Sequence, residues 1–338
     1  MKSDSPISVA MATYNGARFL REQLASLADQ TLQPAELVAC DDGSTDETIA
    51  ILQDFARKAP FPVRIERNPE RLHYGSNFLN AASLCSGKYI AFCDQDDIWH
   101  NRKLDACADA LRRHDAVLCT HPFVSVDHNG HPLSRARSKG RERVLTGFEM
   151  DPWDVFYGFT CTVDRRLLQL IPWQHRSMDL IDETKLSAHD RWIYFLAASI
   201  GRSVVLPDAL ALYRQHQNNT SGDRKFGWRH KLQRVRTTKY KSYLEKRRII
   251  ARSNLALLAA VDCSYDDMLP YLAEAVARWT CLSQEYEERS AVFRDKNLLS
   301  RVARYGRCAA RGTYGKRIGG SRVKTACEDL VAVVLSRA

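Results

Sequence analysis

The stretch Tyr89-Ile90-Ala91-Phe92-Cys93-Asp94-Gln95-Asp96-Asp97 is a strand-length apolar run that ends in three carboxylates. Two earlier strand patterns end on polar clusters as well. Ile7 to Ala12 runs into Thr13-Tyr14-Asn15, and Glu36 to Cys40 runs into Asp41-Asp42-Gly43-Ser44. In an open α/β sheet, ligands bind outside the carboxyl ends of the strands where the strand order reverses, so such clusters converge on one crevice. The intervening segments have helical spacing: Phe19, Leu20, Leu24 and Leu27 within Ala17 to Asp29, then Ile49, Ile51, Leu52 and Phe55, then Ser76 to Cys85. With a further strand at Val63 to Arg67, the alternation predicts right-handed βαβ crossovers, a mostly parallel sheet and a Rossmann-like α/β fold with flanking helices.

Local signals refine this outline. Ser44 and Glu47 have capping-box spacing at the start of the second helix, and Asp96 or Asp97 could cap a helix beginning near Trp99. A helix is expected over Arg102 to Arg113. Val117 to Val126 reads as a strand entering the turn Asp127-His128-Asn129-Gly130, hence a hairpin, with residues 134–150 as a loop. Helices are expected near Arg165 to Leu170 and Arg191 to Ser199, with strands near Ser203 to Leu206 and Ala209 to Tyr213.

The chain of 338 residues is 45% hydrophobic, enough for a full core, and carries a formal charge of +10. Residues 1–222 hold 25 Lys and Arg against 28 Asp and Glu, whereas residues 223–338 hold 25 against 12. The whole excess is therefore C-terminal, and we divide the sequence into an α/β domain, 1–222, and a basic helical region, 223–338. From Arg224 to Arg252 twelve basic residues face one acid, Glu245. Lys239, Lys241, Lys246, Arg247 and Arg248 are the expected contacts to an anionic membrane face, the alternatives being a solvated surface or a homo-oligomer interface. Met1 to Pro6 lacks a signal-peptide pattern, no run is of membrane-spanning length, and the ten cysteines are scattered without metal or redox spacing. A cytoplasmic location is expected, peripheral to the inner membrane if the basic region binds there.

Asp94 and Asp96 are two residues apart, so in an extended segment both carboxylates face one side and can share a cation. Oxygen ligands of this kind suit Mg²⁺ or Mn²⁺ together with substrate phosphates. Asp41-Asp42-Gly43-Ser44 reads either as a solvated turn or as an acceptor for the imide N–H of uracil or thymine, or for a ribose hydroxyl. Tyr14 could stack on the base.

Together, Val9 to Asn15, Asp41 to Asp46, Gly75 to Asn77 and Lys88 to Trp99 resemble the family 2 glycosyltransferases of the GT-A fold. The form Cys93-Asp94-Gln95-Asp96-Asp97-Ile98-Trp99 is similar to a rhamnosyltransferase-like branch that builds surface polysaccharides such as O-antigen. The resemblance covers about residues 6–222 and implies inverting transfer from a nucleoside-diphosphate sugar. By it, Thr13, Tyr14, Asn15, Asp41, Asp42, Asn77, Asp94 and Arg214 would bind the nucleotide sugar, and Asp94, Asp96 and His216 the metal. Tyr157-Gly158-Phe159-Thr160-Cys161-Thr162 resembles an acceptor-side loop, which places Gly158, Thr160 and Trp192 beside the acceptor. His189-Asp190-Arg191-Trp192 resembles the segment supplying the catalytic base, with Asp190 in that role and His189 where many relatives carry an acid. Ser187 to Asp190 also fits a capping box.

The function expected from this resemblance is metal-dependent transfer of a deoxyhexose such as L-rhamnose, from a dTDP- or UDP-sugar to a lipid-linked or surface-polysaccharide glycan. A sugar-nucleotide-forming nucleotidyltransferase is the alternative enzyme class. Its phosphate-gripping glycine-rich segment is not matched by Ala12-Thr13-Tyr14-Asn15-Gly16. A nucleic-acid-binding role for the basic region is the alternative outside enzymes, without a recognised fold signature to support it.

Overall fold

The structure, a computed structural model, describes residues 5–134, 140–180, 182–216, 239–294, 297–311, 313 and 322–335. The chain forms two compact units. One comprises residues 1–147, 153–173 and 188–222, and the other residues 148–152, 174–187 and 223–338.

The first unit is an α/β layer structure. Its strands are β1 (Ile7–Thr13), β2 (Glu36–Asp41), β3 (Val63–Arg67), β4 (Tyr89–Cys93), β5 (Ile98–Trp99), β6 (Leu118–Thr120), β7 (Val124–Val126), β8 (Arg143–Leu145), β9 (Thr162–Asp164), β10 (Ser203–Val205) and β11 (Ala211–Arg214). Its helices are α1 (Ala17–Ala28), α2 (Thr48–Lys58), α3 (His73–Ser83), α4 (Lys103–His114), α5 (Arg165–Gln169) and α6 (His189–Ile200). Eight strands make one sheet in the order β3-β2-β1-β4-β9-β6-β10-β8, while β5, β11 and β7 form a second, small sheet. The pairs β3-β2, β2-β1, β1-β4 and β6-β10 are parallel, whereas β9 and β8 run antiparallel to their neighbours.

Strands β1, β2 and β4 are apolar without alternation because helices cover both faces of the sheet. Ile7, Val9 and Met11 of β1 and Leu37 and Ala39 of β2 join Leu20, Leu24 and Leu27 of α1 and Ile51 and Leu52 of α2 in one buried cluster. Helix α3 packs against β1 and β2. Since β2 and β4 flank β1, successive crossovers leave β1 in opposite directions, and the resulting crevice opens at Thr13, Asp41 and Cys93.

Several local expectations are corrected. Ser44 and Glu47 form no capping box: α2 begins at Thr48, and the Ser44 hydroxyl instead donates to Asp41 at 2.5 Å. Asp46 does the capping work, accepting the Thr48 backbone N–H at 3.0 Å and the Ala17 N–H at the start of α1 at 3.0 Å. Burial would raise the Asp46 carboxyl, but hydrogen bonds from Thr48 and Ala17 outweigh it and hold the group below the usual range. No helix starts at Trp99; Ile98 and Trp99 pair with β11 and the helix waits until Lys103. The single strand expected over Val117 to Val126 is split into β6 and β7, which belong to different sheets, and the hairpin at 127–130 is a bridge between Val126 and Pro132. Residues 143–145, read as loop, add an antiparallel edge strand to β10.

The second unit contains α7 (Lys239–Ala259), α8 (Leu269–Val292), α9 (Leu298–Ala310) and α10 (Arg322–Leu335). Helices α7 and α8 pack along each other. The basic cluster expected to face a membrane is largely engaged internally. Lys246 pairs with Glu183 at 3.1 Å, the Arg247 guanidinium donates to the Tyr286 hydroxyl at 2.7 Å, and Arg248 bridges Glu245 and Glu287. Arg289 and Asp329 form a buried ion pair at 2.8 Å, and the Tyr240 hydroxyl donates to the same carboxylate. The first half of the expected basic run, 224–238, lies outside the described residues, as does the side chain of Lys239. No described helix is long and apolar enough to cross a membrane.

All ten cysteines are free thiols. In the first unit all six are buried, and burial pushes Cys40 up to about 11 and Cys161 up to about 12. Only Cys281 and Cys327 are exposed, both in the second unit.

His121, directly after β6, is buried, and its Nδ1 lies 2.8 Å from the Pro122 carbonyl oxygen. Burial, reinforced by the Lys103 charge and opposed by the Pro122 bond, pushes the imidazole down to about 3. The unfolded chain binds this proton below about pH 6.5 and the folded chain does not. Stability should therefore fall as pH drops from about 6.5 toward 3, by up to about 1.4 kcal/mol per pH unit from this group. Urea midpoints measured across that range should fall less steeply for His121→Gln than for the parent. Equal slopes would show that the acid sensitivity arises elsewhere.

Candidate active site

The β1 loop is held open by its neighbours. Thr13 donates its hydroxyl to Asp41 at 3.0 Å, and Asn15, at φ 48°, uses its backbone N–H on the Ser44 hydroxyl and its Oδ1 on the Thr45 N–H. Asparagine tolerates this left-handed backbone better than most residues. Asp41 is fully buried and accepts from the Gly43 and Ser44 N–H groups as well as from the Thr13 and Ser44 hydroxyls. It organises the loop instead of facing a ligand. Asp42 accepts from the Leu72 and His73 N–H groups and from Asn68, which ties the β2 end to the start of α3. Asn77, expected at the nucleotide, is buried: its amide donates to the Cys40 carbonyl at 2.9 Å and accepts from Asn68.

Tyr14 remains 39% exposed, with the Arg71 guanidinium stacked on its ring at 3.9 Å. Such a stack is a ready flat surface for a planar ligand. Gln95 secures it from the β4 side. Its amide accepts the Tyr14 N–H at 2.9 Å and donates to the Tyr14 carbonyl at 3.1 Å. A β-carbon at Gly16 would lie 2.2 Å from Gln95 Oε1, so the glycine makes this approach possible. The sequence reading missed Arg71, Gln95 and Gly16. Gln95 between two aspartates was the available signal.

Beyond β4 the carboxylates gather. Asp94, Asp96 and Asp190 are half-buried and Asp97 is fully buried. Burial, then the charges of Asp96 and Asp190, push the Asp94 carboxyl far above the usual carboxylate range. Asp97 is raised by burial, then by Asp94 and Asp96. Asp190 stands in the first turn of α6, where its carboxylate accepts the Arg191 N–H at 2.7 Å. The capping box expected at Ser187 is absent: α6 has no side-chain cap, and the Ser187 hydroxyl makes no hydrogen bond. Asp190 thus stands at the helix N-terminus, in the first turn of α6.

His216 lies with Nε2 2.8 Å from Asp96 Oδ2 and stacks on Phe19 at 5.0 Å. Arg214 departs from expectation. It is 1% exposed, donating to Glu22 at 2.5 Å and to the backbone carbonyls of Asp96 and His128, while its N–H bonds Asp97. A guanidinium committed in this way clamps β11 beneath the Asp96 loop and is not presented to a phosphate. Lys103 has a parallel role. Its buried ammonium donates to the Phe159 carbonyl at 2.6 Å over the Trp99 ring, and burial pushes it down to about 8.

The three residues placed beside the acceptor are interior. Trp192 is 1% exposed in α6, and the Thr160 hydroxyl bonds Thr120 and the Tyr157 carbonyl. Gly158 lies under the His189 ring, where a β-carbon would come within 2.1 Å of Nε2. His189 is itself packed on Phe78, 4.2 Å between centroids. Two aromatic residues of this region, Tyr157 and Tyr74, reach the surface at 39% and 49% exposure.

A divalent cation fits the site on one observation: half-buried and buried carboxylates stand together, so that burial first and mutual repulsion second push Asp94 and Asp97 upward, and a cation would relieve both. Among the described residues no three His, Cys, Asp or Glu form a complete cage. Mg²⁺ and Mn²⁺ sites of the substrate-phosphate type need only one or two carboxylates from the protein.

Residues 8–170 match the sequence model of the family described as Glycosyl transferase family 2. A dTDP-rhamnosyl transferase of Shigella flexneri, RfbG, is 28% identical over 221 residues, which covers 63% of this chain and 73% of that protein. An uncharacterized protein of Mycobacterium tuberculosis is 26% identical over 220 residues, covering 62% of this chain and 59% of its own length. The match thus spans about three fifths of that mycobacterial relative. Among solved structures, Staphylococcus aureus TarS 1–349 in complex with UDP superposes with a TM-score of 0.54 at 18% identity, covering 83% of this chain and 91% of that one. The complex of the same protein with UDP-GlcNAc gives 0.53 at 18%, covering 92% and 93%. The shared architecture is the GT-A arrangement.

Proposed function

We propose, for a chain whose residues 8–170 are a glycosyl transferase family 2 domain, that it transfers a sugar from a nucleoside-diphosphate donor to a glycan hydroxyl with inversion at the anomeric carbon. The observation that carries this reading is the convergence of the β1, β2 and β4 ends with Asp190 of α6, close enough to Asp94 for their charges to repel. The donor base would lie against Tyr14 and Arg71, near Thr13, Asn15 and Asp42. Asp96 and His216, with Asp94, would hold Mg²⁺ or Mn²⁺. When bound, the cation neutralises the diphosphate and stabilises it as a leaving group. The chain's own contribution is positional. Gln95 and Arg214 fix the two loops, and Asp190 takes the proton from the acceptor hydroxyl as its oxygen forms the new bond to the anomeric carbon and the bond to the diphosphate oxygen breaks.

Similarity to a dTDP-rhamnosyl transferase favours a deoxyhexose such as L-rhamnose carried on dTDP, and a lipid-linked or surface-polysaccharide acceptor. Such an acceptor, together with the basic C-terminal charge, supports a place at an anionic membrane face. The test is a panel of dTDP- and UDP-sugars, each with Mn²⁺, followed by thermal unfolding. A bound donor at a hundred times its Kd should stabilise the native state by about 2.7 kcal/mol. If no nucleotide sugar raises the midpoint above Mn²⁺ alone, the donor reading is wrong.

A further inference from the structure

Helix α9 carries an apolar stripe that no described residue covers. Leu298, Leu299 and Val302 are 47%, 78% and 43% exposed, and Leu299 is the most exposed large apolar residue described. The buried side of the helix is Arg301 and Cys308, so the outward side is the apolar one. Exposed Arg307 borders it on one side, with exposed Arg304 and Arg311 farther round the same side, and the helix contains no acid. From Lys296 to Lys324 the sequence carries nine Lys and Arg and no Asp or Glu. Helix α10, packed on α9, also leaves Leu330, Val331 and Val334 exposed.

We infer that α9 is the element that seats the C-terminal unit on an anionic lipid surface, lying in the headgroup plane with Leu298, Leu299 and Val302 inserted and Arg304 and Arg307 on lipid phosphates. This rests on the reading that the basic region meets a membrane and moves the contact from α7, where Lys246, Arg247 and Arg248 are engaged internally, to α9. The chemistry selects lipid over the other anionic polymers. Arginines alone would serve nucleic acid equally well, but phosphates gain nothing from an exposed Leu299, whereas a bilayer boundary takes up leucines and holds arginines in one motion. A protein partner would leave the uninterrupted positive charge unopposed unless it were equally acidic.

The experiment uses the full chain and phosphatidylcholine vesicles with and without about one third phosphatidylserine. The parent should sediment with the anionic vesicles, and added salt should weaken this without abolishing it, since inserted leucines are not screened. Leu298→Ser/Leu299→Ser/Val302→Ser and Arg304→Gln/Arg307→Gln should each lower the partition coefficient about tenfold or more. Lys241→Gln/Arg252→Gln, which removes two exposed charges from α7, should retain it. Circular dichroism checks that the variants fold; these side chains are exposed, so the melting point should hold. If the parent ignores anionic vesicles, the membrane reading and the α9 assignment both fall. If the parent binds and the α9 variants bind equally well, the assignment to α9 alone is overturned. Loss of DNA binding or a changed oligomeric state in the α9 variants, with lipid binding intact, overturns it also.

Discussion

Asp190→Asn should lower kcat by about a hundredfold or more while leaving donor affinity close to that of the parent, because a general base acts on the acceptor proton and not on the nucleotide. Asparagine preserves shape and still accepts the Arg191 N–H, so the first turn of α6 keeps its local hydrogen bond. The measurement is kcat on a soluble acceptor analogue beside donor titration by calorimetry. A variant that turns over normally but melts earlier would reduce Asp190 to a helix-terminus charge.

Asp96→Ala should cost more, about a thousandfold or beyond, which corresponds to roughly 4 kcal/mol of transition-state stabilisation. It removes both a proposed cation ligand and the partner of His216 at 2.8 Å. Donor hydrolysis and transfer should fall together, with Mn²⁺-dependent donor stabilisation lost and the metal-free melting point unchanged or raised. The rise would follow from removing one carboxylate from a crowded set. Normal turnover at saturating Mn²⁺ would refute the metal assignment.

The parallel half of the fold was legible in the sequence because its signals are local. Apolar runs such as Ile7 to Met11 and Tyr89 to Cys93 are long and broken by helical spacing, and the end of each strand is marked by a polar residue. What was hidden depends on distant partners. Arg214 reads as a phosphate ligand beside His216, yet Glu22, 192 residues away, and the Asp96 carbonyl, 118 away, fix it in the interior. Ser44 matches a capping box, but Asp41 is nearer and competes for the hydroxyl. Trp192, Thr160 and Gly158 sit in a site-like motif, yet all three are buried. An acid in the first turn of a helix looks the same whether it caps or catalyses, so Asp190 was readable as a position more than as a role.

The distribution of thiols has a practical consequence. A maleimide dye should react with Cys281 and Cys327 and leave the six interior thiols of the α/β unit untouched. A version with one reactive thiol would then need Cys281 and the partly exposed Cys263 replaced and no change near the crevice. A polarity-sensitive fluorophore at Cys327, on α10, would report whatever settles on that part of the molecule in real time, while turnover is followed in the same cuvette.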